Sequence, residues 1–497
     1  MTSPSAPVTE RLRNRSVNLA VNLVLAMASG SLLILIFPRF SLTWLAPIAL
    51  APLLVACARE ASWKQRFLLG WAGGFVFWFG VCSWIQFVLE VHGGLGRWGG
   101  WATFALFAIL KGLHFAVFAA LAGFLLGKPY AIPAVAALWT GLERTNGPFG
   151  FAWLDLGNAG IDMPAAMRLA PIFGVYGLSF LFAMLACAVA LVILRRRRRD
   201  LLWLLPVPLI LIALPSLPAP ERGSERALLV QPNVDSEMQW TPQSLGEFEL
   251  KLGALSQARN VGVIVWPEVP APFYPSDRQF RDYASLIARR SQTYFLFGAV
   301  AYTPAQEPLN SAVMMNPDGK IMDRYDKIKL VPFGEFVPPP FGWVNRITKE
   351  IGDFVPGSRI VVFPIRDHRL STFICYESAF PDLVRQFAHA GAEVLFNLSN
   401  DGYFGFSAAR EQHLLLVRMR AAENRRWILR GTNDGITAAV DPAGRITERI
   451  PGFEELSSIM RYSYVTGETP YTRFGDWFAW GCLLFGLGAA AKVRLRG

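Results

Sequence analysis

Residues 371–378 read Ser-Thr-Phe-Ile-Cys-Tyr-Glu-Ser. β-Branched and aromatic residues favour a strand, so Thr372–Cys375 reads as a short buried strand that stops at a cysteine, with Glu377 two residues further on. The carboxyl ends of strands are where open α/β sheets gather their ligands and reactive groups. Five cysteines occur in the chain. Cys57, Cys82, Cys187 and Cys482 lie inside long apolar runs, and Cys375 alone sits in a segment of soluble composition. A free cysteine is most often a small buried hydrophobe. The stretch therefore takes its meaning from what accompanies it.

Working outward, the 497 residues are 53% hydrophobic and only 17% charged, against about 25% charged in ordinary soluble domains. The apolar excess lies before residue 218 and after residue 475. Runs long enough to cross a bilayer occur near 17–37, 42–58, 67–89, 101–126, 130–145, 169–194, 201–218 and 476–493. The first exceeds the apolar core of a signal peptide and lacks a small-x-small cleavage site, so it reads as a retained membrane helix. This divides the chain into a membrane bundle of about seven spans (1–218), a soluble segment (219–475) and a last membrane helix with a short tail (476–497).

The net charge of +11 does not point to nucleic acid, because the basic residues cluster at span ends: Arg11, Arg13 and Arg15, then Arg59, Lys64 and Arg66, then Lys128, then Arg195–Arg199, then Lys492, Arg494 and Arg496. The positive-inside rule puts these loops and both termini in the cytoplasm and the soluble segment outside. The cysteines show no paired or C-x-x-C spacing, and the five histidines form no H-E-x-x-H, so neither a disulfide framework nor a zinc site is expected. Lys111 and His114 are the obvious mid-span ionisable residues, thin support for a channel or transporter.

After Pro218-Ala219-Pro220, apolar runs alternate with amphipathic ones. Strands are expected at Arg226–Gln231, Val261–Trp266, Tyr294–Tyr302, Ala312–Met315, Ile321–Arg324, Thr372–Cys375, Val394–Leu398, Ile436–Val440 and Arg445–Glu448, and helices near 243–258, 277–291, 378–390 and 407–426. Asn-Pro-Asp-Gly (316–319) and Asp-Pro-Ala-Gly (441–444) each join two strands in a hairpin. Two matching hairpins argue for two sheets, and buried strands covered by helices give an α-β-β-α sandwich.

Three stretches place polar residues where a packed core does not need them. Glu268 follows the Val261–Pro267 strand among apolar neighbours, a position suited to a general base. Lys327 and Lys329 precede Leu-Val-Pro-Phe-Gly-Glu (330–335). Either is a reasonable oxyanion stabiliser, and strand alternation puts both on one face, so spacing does not choose between them. Glu335 is placed to orient the chosen lysine. Cys375 becomes a nucleophile if a base and a cation reach it. Glu377 shares its strand face if the strand continues. His368 keeps a Cys-His pair open.

A glutamate, a lysine before a proline-rich loop and a cysteine after a later strand, in that order, resemble the Glu-Lys-Cys triad of the nitrilase superfamily. With the membrane runs, Leu330–Glu335, Cys375-Tyr376-Glu377, Asn-Leu-Ser-Asn-Asp-Gly-Tyr-Phe-Gly (397–405) and Thr-Asn-Asp-Gly-Ile-Thr-Ala (432–438), the chain resembles the bacterial apolipoprotein N-acyltransferases over nearly its whole length. The resemblance implies a nitrilase-like sandwich beside about eight transmembrane helices, with Glu268 as base, Lys327 as oxyanion stabiliser and Cys375 as nucleophile. Glu335, Tyr376, Glu377, Trp240, Asn400 and Tyr403 are the supporting positions it implies. Trp153, in Gly150-Phe151-Ala152-Trp153-Leu154, matches the family's membrane-loop motif. Tyr403 and Trp427 depart from the family pattern, which usually has a tryptophan and a proline there.

The implied reaction moves an acyl chain from a phospholipid, phosphatidylethanolamine by resemblance, through a cysteine thioester to the amine of a diacylglyceryl-modified lipoprotein. It needs no cofactor, metal or nucleic acid. The protein is implied to act as a monomer in the bacterial inner membrane, its catalytic domain periplasmic. A membrane-tethered amidase that uses water as acceptor is the alternative.

Overall fold

The computed structural model describes residues 8–147, 151–235, 238–336 and 354–496. Its soluble part holds two six-stranded sheets. The first is built from β1 (Glu225–Gln231), β2 (Val263–Val265), β3 (Tyr294–Tyr302), β4 (Pro308–Met315), β5 (Ile321–Asp326) and, from far along the chain, β12 (Leu456–Tyr462), in the order β12-β1-β2-β3-β4-β5. The second comprises β6 (Val362–Ile365), β7 (His368–Ile374), β8 (Val394–Ser399), β9 (Ile428–Thr432), β10 (Thr437–Val440) and β11 (Ile446–Ile450), in the order β11-β10-β9-β8-β7-β6. In each sheet three parallel strands form the centre and antiparallel strands flank them.

The two hairpins fall in different sheets and close alike. Gly319 N–H donates to Asn316 O and Gly444 N–H to Asp441 O, both at 2.9 Å, and both glycines have positive φ. Three strands escaped the sequence reading. β6, Val-Phe-Pro-Ile, is four residues long and contains a proline, β9 carries Arg430 and Gly431, and β12 pairs with β1 across more than two hundred residues, which no local pattern reports.

Strand alternation sorts the first sheet cleanly. Ala227, Leu229, Val263, Val265, Leu296, Ala312 and Met314 face the second sheet. Leu228, Val230, Ile264, Trp266, Phe295, Phe297, Val313 and Met315 face the helices Pro242–Leu255 and Arg278–Ser291. These helices begin where Thr241 and Asp277 accept backbone N–H groups, as N-caps do.

The second sheet is covered by the helices Pro381–His389 and Ala409–Asn424. The latter is buried on both sides. Leu414, Val417 and Ala421 pack on the sheet, while Leu415, Leu416, Met419 and Ala422 join the core of the membrane bundle.

Among the described residues, four helices are long and apolar enough to cross a membrane: Asn18–Leu35 within Val8–Leu35, Gly96–Leu125, Val175–Ile193 and the Trp477–Leu495 part of Trp477–Arg496. A fifth results if Trp63–Val81 and Trp84–His92, bent by 62°, form one broken span. The expectation of eight is therefore not met by length. Region 42–58 holds a short 3-10 turn and the nine-residue helix Ala51–Arg59. Region 130–145 holds the 14-residue helix Ala131–Arg144. Region 201–218, rich in proline, holds a 3-10 segment ending at Leu204 and the eight-residue helix Pro206–Ala213. A full crossing takes about 20 helical residues, and these helices break off before that. Within the bundle, Gly70 lies so close to the Gly96–Leu125 helix that a Cβ there would meet Phe115 O at 2.3 Å, the close approach that small residues allow between membrane helices.

Candidate active site

Glu268 follows β2 after Trp266 and Pro267. A Cβ at Gly298 in β3 would stand 2.4 Å from Pro267 O and 2.8 Å from Glu268 Cα, so only glycine lets this segment lie against the strand. Glu268 is 7% exposed. Its Oε1 lies 3.0 Å from Lys327 Nζ and accepts from Asn310 Nδ2 at 2.8 Å, while its Oε2 accepts from Asn400 N–H at 2.9 Å. Lys327, 1% exposed, comes directly after β5. Its Nζ also lies 2.9 Å from Glu335 Oε1. Asn310 Nδ2 donates to that same oxygen at 2.7 Å, and Glu335 Oε2 accepts from Val331 N–H at 2.8 Å.

Two carboxylates thus share one ammonium and one amide. Burial opposes the charge on Lys327, but the Glu268 and Glu335 carboxylates outweigh it and hold the lysine well above its usual range. A buried cation of this kind persists only when paired and hydrogen-bonded.

Strand β7 ends at Ile374, one residue before the cysteine. Cys375 opens a 3-10 turn, Cys375–Ala379, with φ at +50°. That left-handed conformation costs a non-glycine residue of order 1–3 kcal/mol and persists only where the surroundings enforce it. Glu377 does much of the enforcing. Its Oε2 accepts from Ile374 N–H at 2.7 Å, and its Oε1 from Tyr325 Oη at 2.6 Å, Ile328 N–H at 2.7 Å and Lys329 N–H at 3.1 Å. The strand does not continue, so Glu377 does not share a strand face with Cys375; it folds back and ties the cysteine turn to the Lys327 loop. Burial raises the Cys375 thiol strongly, and the Glu268 carboxylate adds to this while Lys327 opposes it. The resting group is a thiol that needs a base.

Residues 29–188 match the apolipoprotein N-acyltransferase N-terminal domain, and residues 228–465 match the carbon-nitrogen hydrolase family. Curated relatives named apolipoprotein N-acyltransferase include those of Geobacter metallireducens (34% identical, covering 95% of this chain and 94% of the relative), Shewanella oneidensis (32%, 92% and 93%) and Azotobacter vinelandii (33%, 95% and 95%). The chain belongs to the apolipoprotein N-acyltransferase family.

In this acyltransferase the cysteine turn meets the bundle through aromatic rings. Tyr376 stacks on Phe151 at 5.3 Å and Trp153 at 6.5 Å, and its hydroxyl accepts from Ala152 N–H at 3.0 Å. Trp153 Nε1 donates to Gln412 Oε1 at 2.8 Å, and Gln412 Nε2 donates at 3.0 Å to Val81 O, at the break between the two bent bundle helices. Gln412 therefore rivets the catalytic domain to the bundle. Asn400 gives its N–H to Glu268, and its side chain accepts from Gly402 N–H at 3.2 Å. Tyr403 is 48% exposed and packs edge-on against His92 at 4.7 Å. Desolvation first, then the charges of Glu268 and Glu335, raise its hydroxyl. Gly150 lies outside the described residues.

Several expectations need correction. Alternation does not put Lys327 and Lys329 on one face, because β5 stops at Asp326; Lys327 enters the site while Lys329 lies over the Phe380 ring at 5.4 Å. Trp240, implied by the resemblance to lie near the substrate entrance, packs on Phe248 at 5.1 Å, against the helix-covered core of the first sheet. His368 begins β7, roughly 20 Å along the strand from its end, where it contacts Glu393 at 2.6 Å and stacks on Tyr464. Trp427, expected not to touch the candidate triad, is buried between sheet and helix.

The reading missed Asn310, whose signal was a polar residue within the apolar strand β4. It also missed His413 and Arg430, which sit beneath the cysteine turn. Among the described residues no group of three or more His, Cys, Asp or Glu side chains converges as a metal site.

Proposed function

We propose that this enzyme transfers the sn-1 acyl chain of a phospholipid, through a thioester on Cys375, to the α-amine of a diacylglyceryl-modified lipoprotein. The observation that carries the reading is the buried Glu268–Lys327–Glu335 group beside a cysteine held at positive φ, with the next residue, Tyr376, packed into the membrane bundle. Glu268 takes the Cys375 proton as the sulfur attacks the ester carbonyl. Lys327 and the Tyr376 N–H hold the oxyanion. The C–O bond breaks, the lysophospholipid leaves with the proton from Glu268, and a thioester remains. The lipoprotein amine then attacks that thioester, Glu268 receives its proton, and the amide departs while Cys375 returns to the thiol, a ping-pong cycle.

Glu335 and Asn310 orient Lys327, Glu377 holds the turn, and Trp153, Tyr376, Asn400 and Tyr403 shape the lipid's approach. The bundle of residues 1–218 and the last helix, from residue 476, anchor the enzyme as a monomer in the inner membrane. Helices too short to cross alone are continued by flanking non-helical backbone, which a membrane tolerates where it is buried in protein, as at Ala46, Ala49 and Leu50 ahead of the Ala51–Arg59 helix. Eight crossings then leave both termini in the cytoplasm and residues 219–475 in the periplasm, facing donor and acceptor.

The test is mass spectrometry of the full-length enzyme after incubation with phosphatidylethanolamine. Wild type gains an acyl-sized adduct on Cys375 that a diacylglyceryl-peptide amine discharges; Cys375→Ala gains none. Absence of the adduct on wild type defeats the thioester route. Steady release of free fatty acid independent of the amine would favour a hydrolase.

A further inference from the structure

The cysteine turn rests on a buried trio that the reaction above does not use. His413, 0% exposed, comes from the Ala409–Asn424 helix. Its Nε2 lies 3.0 Å from Cys375 O and its Nδ1 lies 3.0 Å from Asp401 Oδ1. Arg430 Nη2 reaches His413 Nδ1 at 3.1 Å and both Asp401 oxygens at 2.8 and 2.7 Å. Arg430 Nη1 also holds Asn397 Oδ1, and Asn397 Nδ2 donates to Phe373 O at 3.3 Å in β7. The trio is thereby tied into β7, β8 and β9. Trp153 and Phe404 flank the imidazole at 5.7 and 5.8 Å between ring centres.

A carbonyl oxygen can only accept, so the proton at Nε2 must be present. That is the case both for the neutral ring with its hydrogen on Nε2 and for the imidazolium. His413 therefore donates to the Cys375 carbonyl.

The Cys375 carbonyl and the Tyr376 N–H belong to one peptide plane, which is trans, and in a trans plane the two point in opposite directions. Drawing the carbonyl toward His413 turns the N–H toward the opposite side of the turn. Tyr376 is the second residue of the 3-10 turn, and N–H groups at a helix start lack an intrahelical acceptor. The orientation of this peptide is set by ψ of Cys375 and φ of Tyr376, and the hydrogen bond from His413 to the Cys375 carbonyl holds it.

We infer that His413 is a positioning residue: it locks the Cys375–Tyr376 peptide so that the Tyr376 N–H is presented to the oxyanion. It touches neither sulfur nor substrate. The inference rests on reading Cys375 as the acyl-carrying nucleophile.

The experiment compares two reactions at the same sulfur in the full-length enzyme, both followed on the Cys375 peptide. Acylation by phosphatidylethanolamine passes through an oxyanion. Alkylation by iodoacetamide displaces iodide and forms none. His413→Leu keeps the volume and removes the donor. It should slow acylation at saturating phospholipid roughly 10- to 100-fold, short of the 10²–10³ seen when an oxyanion donor is lost outright. KM for phospholipid and the alkylation rate should stay within about twofold, since ground-state binding and the thiol are untouched. His413→Gln offers an N–H near the Nε2 position and should restore most of the acylation rate.

Unchanged acylation in His413→Leu overturns the inference. So does an equal fall in acylation and alkylation, which would mean that the whole turn has collapsed. If wild type is alkylated but never acylated, the failure belongs to the thioester reading and not to His413.

Discussion

The two halves of the catalytic domain repeat one plan on different ground. Each has three central parallel strands, a hairpin closed by a proline- and glycine-containing turn, and two covering helices. Over the first sheet, the Arg278–Ser291 helix exposes Arg281, Asp282, Leu286, Arg289 and Arg290. Over the second, the Ala409–Asn424 helix leaves only Glu411 and Arg418 partly exposed, because the membrane bundle lies on its far side. The first half supplies Glu268, Lys327 and Asn310. The second supplies Cys375 and the Asp401–His413–Arg430 trio under it. On the proposed mechanism, proton chemistry sits on the half with an ordinary water-facing layer, and the acyl-carrying sulfur on the half pressed against the membrane part. With the proposed phospholipid donor, the nucleophile, more than the base, belongs next to the hydrocarbon.

The strongest test of that division is Glu268→Gln. If the first half contributes the base for both steps, kcat should fall about 10²–10⁴-fold, with thioester formation and its discharge by amine slowed alike in single-turnover measurements. A loss confined to one step would break the assignment of a shared base.

Asp401→Asn probes the other half through stability. Removing one partner of a buried ion pair costs about 3–5 kcal/mol, and Arg430 would be left without its carboxylate. Thermal melts in detergent should report a large drop. The same trio predicts a pH dependence. Desolvation would raise Asp401, but Arg430 and His413 outweigh it and hold the carboxyl well below its ordinary range. Burial, and then Arg430, push His413 below the usual imidazole value. Both groups bind protons more readily in the unfolded chain, so each stabilises the fold fully above its unfolded pKa and loses that contribution as pH falls. Melting temperature should therefore decline from about pH 6.5, where free histidine titrates, and decline further below about pH 3.9, where free aspartate does. His413→Gln should remove the upper part of the decline and Asp401→Asn the lower.

Much of the site was legible because its residues break local patterns. Cys375 closes an apolar strand, Glu268 follows Trp-Pro, and the two hairpins announce themselves by their turns. Lys327 could not be told from Lys329, since the strand that would set their faces ends at Asp326, a boundary set by pairing with β4 and not by composition. His413 and Arg430 stayed hidden for a different reason. The Ala409–Asn424 helix carries Arg410, Gln412, His413, Arg418, Arg420 and Glu423, the composition of a solvated surface. Only the bundle packed on it reveals that most of these are buried and paired, as Arg410 is with Asp434 and Arg420 with Glu423. The membrane runs were legible as apolar, but where each helix breaks depends on prolines and on partners such as Gln412 at Val81.

One pair of substitutions isolates the comparison itself. Leu415 and Leu286 lie on the outer sides of equivalent covering helices, Leu415 7% and Leu286 42% exposed. Leu415→Lys drives an ammonium into the bundle core and should cost about 3 kcal/mol through lost packing and an unpaired buried charge. Leu286→Lys should shift stability by no more than about 0.5 kcal/mol, as surface replacements do, because its side chain trades one solvated position for another. Matched melts of the two variants read the difference directly. A large loss for Leu286→Lys would mean that a further layer covers the first half as well, and the asymmetry between base and nucleophile halves would then no longer follow from where the membrane part lies.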